Sequence, residues 1–176
     1  MQVRLTLLLT PLALAASANA LAAQKPAARP QSAPSTVQAD PFAGRSMGSA
    51  TAPVTGYERS DFQCPFCRHH AIETFPILQR EYIATGKVRW IFLNFPLTDR
   101  HPNAAAAAQF AICAANEGKF WPVHDLLYKY QDTWAPLKDP GAFLLTLADS
   151  AQLSKPAVLA CLQDPASRMA VERDAR

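Results

Sequence analysis

The sequence predicts an α/β fold in which a strand, helix, strand unit leads into a block of helices. Three observations carry that expectation. Lys87 to Phe95 is rich in β-forming side chains and apolar on both faces apart from Arg89, the pattern of an interior strand. Pro65 suits a first helical position, and Ile72, Phe75, Leu78 and Tyr82 recur behind it at helical spacing until Gly86. After Pro102 the apolar pattern is wholly helical.

In chain order, Arg4 supplies a positive start, and Leu5 to Ala15 is an apolar run. Ala16-Ser17-Ala18 and Ala18-Asn19-Ala20 both fit a small-residue cleavage site. Residues 1–20 therefore read as a secretory signal. The apolar run is well short of the ~20 residues that span a bilayer, and no cysteine follows it to accept a lipid. A soluble periplasmic or secreted protein is expected, with an uncleaved anchor as the other reading. Residues 21–41 are Ala, Pro, Ser and Gln with almost no large apolar side chain, and read as a flexible tether. The folded domain is expected over 42–176.

Val54 to Ser60 is the first expected strand, although Gly56 is a poor strand residue and Arg59 is awkward if both faces are buried. A helix should open at Cys64, kink at Pro76 and stop at Gly86. Pro102 starts an Ala-rich helix that ends at Gly118, and Val123, Leu126, Leu127 and Tyr130 mark another. Asp139-Pro140 and Asp164-Pro165 each pair an N-cap with a first-turn proline, with Leu144, Leu145 and Leu147 between them. The last helix runs on to Arg176. The net charge is +3 and no dense Lys/Arg run interleaves with aromatics, so no nucleic-acid partner is expected.

The chemistry centres on Cys64-Pro65-Phe66-Cys67. Two cysteines three apart at a helix start share one face, and the unpaired N–H groups of that start lie beside the first sulfur. Cys64 is thus expected to ionise well below the ~8.5 of a free cysteine, with Cys67 more buried and less acidic. Arg68, His69 and His70 follow, and any that faces the pair would favour the anion further, though Arg68 and His69 have a plain solvent-facing reading. The pair alone has other readings: a structural disulfide, or a metal site with His70 as a third ligand. A bridge across one helical turn constrains little chain, and no second ligand pair stands at conventional spacing, so redox exchange is preferred.

Val54-Thr55 through Glu58, followed by Ser60-Asp61-Phe62-Gln63-Cys64-Pro65-Phe66-Cys67, resembles the active-site entry of the DsbA-like family of thioredoxin-fold oxidoreductases. Tyr82 to Val88, Phe95-Pro96, His101-Pro102-Asn103-Ala104, and Gly118-Lys119-Phe120-Trp121 with His124-Asp125 and Leu127 are similar to that family's second strand and helical domain. The resemblance runs from about Phe42 to Arg176. It implies a thioredoxin-like fold with a helical insert at about 101–165. It further implies that Cys64 is the nucleophile, Cys67 the resolving cysteine, and Pro65-Phe66 the dipeptide that tunes redox poise. Glu58 would be an acidic group near the buried cysteine, assisting proton movement; a plain strand-edge glutamate is the alternative.

The sequence departs from the family at Gly56 and Arg59, which weakens the expected first strand. The family also continues into a strand with a cis Thr-Pro beside the sulfurs, whereas the only Thr-Pro here is Thr10-Pro11. The C-terminal strands are therefore expected to be missing, which would leave a fragment of a longer frame or a weakly stable remnant. Four cysteines allow three pairings, of which Cys64 with Cys67 and Cys113 with Cys161 is preferred. The second pair is read as structural, with two buried free thiols as the alternative. His101 and His124 read as cap or surface residues without a catalytic part.

The expected function is thiol-disulfide exchange with exported client proteins carrying cysteine pairs, as an oxidant reset by a membrane or soluble redox partner. No cofactor or metal is expected. An isomerase or reductase on the same scaffold, or a periplasmic metal-binding module using Cys64, Cys67 and His70, are the alternatives.

Overall fold

The computed structural model describes residues 40–176. The expected signal, and all but the last two residues of the expected tether, lie outside the described residues.

Three strands form one sheet in the order β1-β3-β2. β1 (Ser46–Met47) runs antiparallel to β3 (Val88–Asn94), and β2 (Val54–Ser60) runs parallel to it. The central place of β3 accounts for its run of apolar side chains on both faces. β2 alternates instead: Glu58 and Ser60 are buried while Tyr57 and Arg59 are exposed. Arg59 is therefore not a buried cation. Its guanidinium lies 4.9 Å from the Phe95 ring and donates to the Asp174 carbonyl at 2.8 Å. Gly56 also has a positive reason to be in the strand. It pairs with Trp90, and a Cβ there would meet the indole at 2.6 Å, so only glycine lets that ring lie across β2.

The helix expected after Cys64 is present but not as one α-helix. α1 (Pro65–His69) passes into a π-helical turn (His70–Thr74), then α2 (Phe75–Leu78), then a second π turn (Gln79–Ile83). Pro76 has no N–H to offer the turn before it and its ring presses on that turn's carbonyl, so a wider turn ahead of it relieves both mismatches. The widening shifts the apolar face out of phase: Phe75 and Ile83 are buried, but Ile72 and Tyr82 are largely exposed. Gly86, at φ 75°, ends the run.

Five further helices follow: α3 (Ala104–Asn116), α4 (Phe120–Lys129), α6 (Gly141–Ser150), α7 (Lys155–Gln163) and α8 (Pro165–Asp174), with the single turn α5 (Gln131–Trp134) after α4. Asp164 caps α8 by accepting from Ala166 N at 2.9 Å. At α6 the cap position falls on Pro140, one residue later than expected, and Asp139 accepts from Gly141 N at 2.8 Å. β1, α5 and α7 have no counterpart in the sequence reading.

The alanines of α3 (Ala104, Ala107, Ala108, Ala111 and Ala114) are buried, which lets α4, α7 and α8 pack closely on it. The core they enclose includes Phe62, Phe92, Phe110, Phe120, Leu127 and Trp134. A disulfide joins Cys113 of α3 to Cys161 of α7. Asp174, at the end of α8, pairs with the buried Arg45 and accepts from Asn94 N and Nδ2 at 3.1 and 2.9 Å.

Candidate active site

The segment between β2 and α1 is held by its own Asp61 and Gln63, by Gln131 of α5 and by groups of the loops that follow β3 and α5. Asp61, fully buried, accepts from Gln63 N at 2.7 Å through one oxygen. Its other oxygen binds Leu97 N and His101 Nδ1, both at 2.8 Å. Gln131 of α5 donates to the Phe62 carbonyl at 2.7 Å and the Cys64 carbonyl at 3.0 Å. Gln63 donates to the Ala135 carbonyl at 3.0 Å and accepts from Asn103 N at 2.7 Å. The backbone before the first cysteine is thus fixed on both its donor and its acceptor sides.

Cys64 stands immediately before α1 in an extended conformation, with Pro65 inside the first turn. Its carbonyl accepts from Arg68 N at 3.1 Å, the first helical bond. Cys64 and Cys67 are both free and partly exposed. Pro65 is exposed and Phe66 is 84% exposed, so the dipeptide between the sulfurs faces outward. Burial pushes the Cys67 thiol above its ordinary range, opposed in part by hydrogen bonds from the Ser60 hydroxyl and the Asp61 backbone; the neighbouring Cys64 raises it further.

Glu58 is buried at 8% exposure on the same face of β2 as Ser60. Trp90 Nε1 donates to its Oε2 at 3.0 Å, while Oε1 has no partner among the described residues. Arg68 is half-buried. It is bound to Asp132 at 2.8 Å and to the Tyr128 carbonyl at 3.0 Å. His69 is exposed. The His70 ring lies 6.4 Å from that of Phe75, and among the described residues no group of three or more His, Cys, Asp or Glu side chains is placed to hold a metal ion.

The plain readings of the other two histidines are corrected. His101 is half-buried on Asp61, behind the loop that carries Cys64. His124 is 1% exposed and ringed by Phe62, Phe75, Phe92, Phe120, Trp121 and Tyr128; its Nδ1 bonds Asp125 at 2.8 Å. Its polar name hides its place on the inner stripe of α4, one turn from Phe120 and Tyr128.

Sequence reasoning also passed over Tyr128, whose hydroxyl lies 2.9 Å from Ser60 Oγ, and Gln131. The only signal for Tyr128 was its spacing of four residues from His124. A cavity of about 480 Å³ between Pro96, Ala105, Gln109 and Val171 includes neither cysteine. A smaller one of about 300 Å³ borders the pair at Pro65, Arg68, His69 and Ile72.

A family model described as Thioredoxin matches residues 42–176. The chain belongs to the thioredoxin family. Within it, the chain is 39% identical over 87 residues to a probable disulfide bond formation protein D of Bacillus anthracis, covering 49% of this chain and 40% of that protein. It is also 39% identical over 100 residues to the Na(+)/H(+) antiporter NhaA 3 of Salinispora tropica, covering 57% of this chain and 15% of that one. The chain thus spans less than half the length of either relative. Among solved structures, oxidised BdbD from Bacillus subtilis superposes with a TM-score of 0.66 at 26% identity, over 75% of this chain and 72% of that one. The fold is thioredoxin-like, of the DsbA-like kind that the sequence resembles.

Proposed function

We propose that this thioredoxin-family chain exchanges disulfides with exported client proteins through Cys64 and Cys67, and acts as their oxidant. The observation that carries the reading is the position of Cys64: a free, partly exposed thiol at the open N-terminal end of a helical run, on a loop pinned by Asp61 and Gln131. Unpaired amide groups at such an end stabilise negative charge on the sulfur. A client thiolate attacks Cys64 in the oxidised pair, Cys67 leaves, and the client's second thiolate then displaces Cys64. A reduced form stabilised in this way has a high reduction potential, which drives electrons from client to protein. The matches to disulfide bond formation proteins support the same chemistry.

Release through the expected signal at residues 1–20 would bring the domain to clients in a compartment where disulfides persist, with a membrane or soluble partner resetting the pair. The test is oxidation of a reduced two-cysteine peptide by the full chain. Cys64→Ser and Cys67→Ser should each lower the rate to background, because a lone active-site cysteine holds no disulfide to pass on. A potential below about −250 mV would make the chain a reductant instead. Stoichiometric metal in a protein without exchange activity would replace the reading altogether.

A further inference from the structure

Behind the resolving cysteine lies a pair of hydroxyls that the mechanism above does not use. Ser60, the last residue of β2, is buried and lies within hydrogen-bond reach of the Cys67 sulfur. Tyr128, on α4, is 1% exposed, and its hydroxyl lies 2.9 Å from Ser60 Oγ and 3.4 Å from the Asp61 carbonyl. Parallel pairing with β3 fixes this arrangement. It turns Glu58 and Ser60 to the same face, and Asp61 then leaves the strand toward the cysteine loop.

The proton count gives the pair a direction. A serine hydroxyl has one proton, so when it donates to sulfur its oxygen can only accept from the tyrosine. Tyr128 can supply that proton because burial first, then the neighbouring Glu58, Cys67 and Asp61, hold its ionisation well above the ordinary phenol range. It remains a donor at every pH at which exchange proceeds.

We propose that Ser60 and Tyr128 are positioning residues for exchange, a two-hydroxyl relay that ends on Cys67 Sγ and stabilises that sulfur as it leaves Cys64. The inference rests on the proposed exchange reaction. In the first step the bond between the client sulfur and Cys64 Sγ forms, the Cys64–Cys67 bond breaks, and the electron pair passes to Cys67 Sγ. A half-buried sulfur receiving that pair has no water on its inner side, and there the Ser60 O–H, itself polarised by the Tyr128 O–H, takes water's place. In the reverse step the same bond keeps a fraction of Cys67 ionised and ready to attack the mixed disulfide.

The ionisable and charged groups around the relay are Cys64 on the α1 side, Glu58 and Asp61 on the strand side, and His124 and Tyr128 on α4, with the Arg68 guanidinium on the Tyr128 carbonyl. The test therefore keeps one Cys64→Ser background throughout and compares variants that leave Glu58, Asp61, His124 and Arg68 in place. In the full chain carrying Cys64→Ser, the pH dependence of Cys67 alkylation by iodoacetamide gives the ionisation midpoint of that single thiol. Ser60→Ala should raise the midpoint by about half to one pH unit, roughly three- to tenfold less thiolate at neutral pH. Ser60→Thr, which keeps the hydroxyl, should restore it.

Tyr128→Phe should raise the midpoint by less, and should add nothing in the Ser60→Ala background because it acts through Ser60. An unmoved midpoint in Ser60→Ala, or a Tyr128→Phe effect that persists without the Ser60 hydroxyl, overturns the relay. If Ser60→Ala does not fold, Tyr128→Phe decides alone: an upward shift supports the relay and an unchanged midpoint refutes it. The midpoint is measured without a client, so a chain that shifts as described yet oxidises nothing sinks the proposed function and leaves the relay standing.

Discussion

Tyr128 shows how much one side chain depends on its surroundings. Its phenol is fully enclosed, so ionisation is suppressed in the folded chain and free in the unfolded one. Its contribution to stability is fully present below about pH 10, where an unfolded tyrosine begins to lose its proton, and is lost as pH rises toward the higher folded value. Above about pH 10 the native form should lose up to about 1.4 kcal/mol per pH unit from this group. Urea unfolding of wild type and Tyr128→Phe between pH 8 and 11 should give two curves that converge above pH 10. Curves that stay parallel would mean that the phenol ionises in place. Burial of the Cys67 thiol acts in the same sense at its own lower range, so the comparison belongs on proteins with both cysteines replaced.

At the scale of elements, β2 is the most informative case. Gly56 and Arg59 look like defects when the strand is read alone, and each has a structural reason when β3 is beside it. Gly56 makes room for Trp90, whose indole nitrogen is the donor to the buried Glu58. Gly56→Val should therefore cost about 1–3 kcal/mol despite the better strand propensity of valine, because the ring must move and Glu58 loses its partner. Denaturant unfolding measures the cost, and a red shift in tryptophan emission would report the displaced indole. A variant as stable as wild type would show that the close approach is not a constraint. The helical run from Pro65 makes the complementary point. Its start was legible from Pro65 and its end from Gly86, but its buried face was not, because the π turns around Pro76 break the 3.6-residue phase on which that reading depends.

At the scale of the molecule, cross-links tie distant parts of the chain together. The Cys113–Cys161 bridge closes a 48-residue separation between α3 and α7, worth about 4 kcal/mol in the chain-entropy model. With Cys64 and Cys67 replaced by serine, alkylation without reductant should add no mass, and after reduction it should add two labels and lower the unfolding midpoint. Two labels without reductant would mean free thiols. Asp174 does comparable work without a covalent bond, gathering Arg45, Asn94 and, through its carbonyl, Arg59 at the end of α8. These residues come from four separate stretches of sequence, so no local pattern announces them.

The sequence by itself determined the α/β class, a strand at Val54 to Ser60 and another at about Lys87 to Phe95, the helix starts at Pro65 and Pro165, and the cysteine pair at a helix entry. Each of these is a local property, set by side-chain period, proline geometry or short-range spacing. Only the tertiary structure decided that Ser60, Tyr128, Gln131 and His101 gather behind the cysteines and that His124 is a core residue. Those side chains come from β2, from helices and from a connecting loop. A buried polar group is recognisable only once the partner that satisfies it, or the apolar wall that encloses it, has been folded into place.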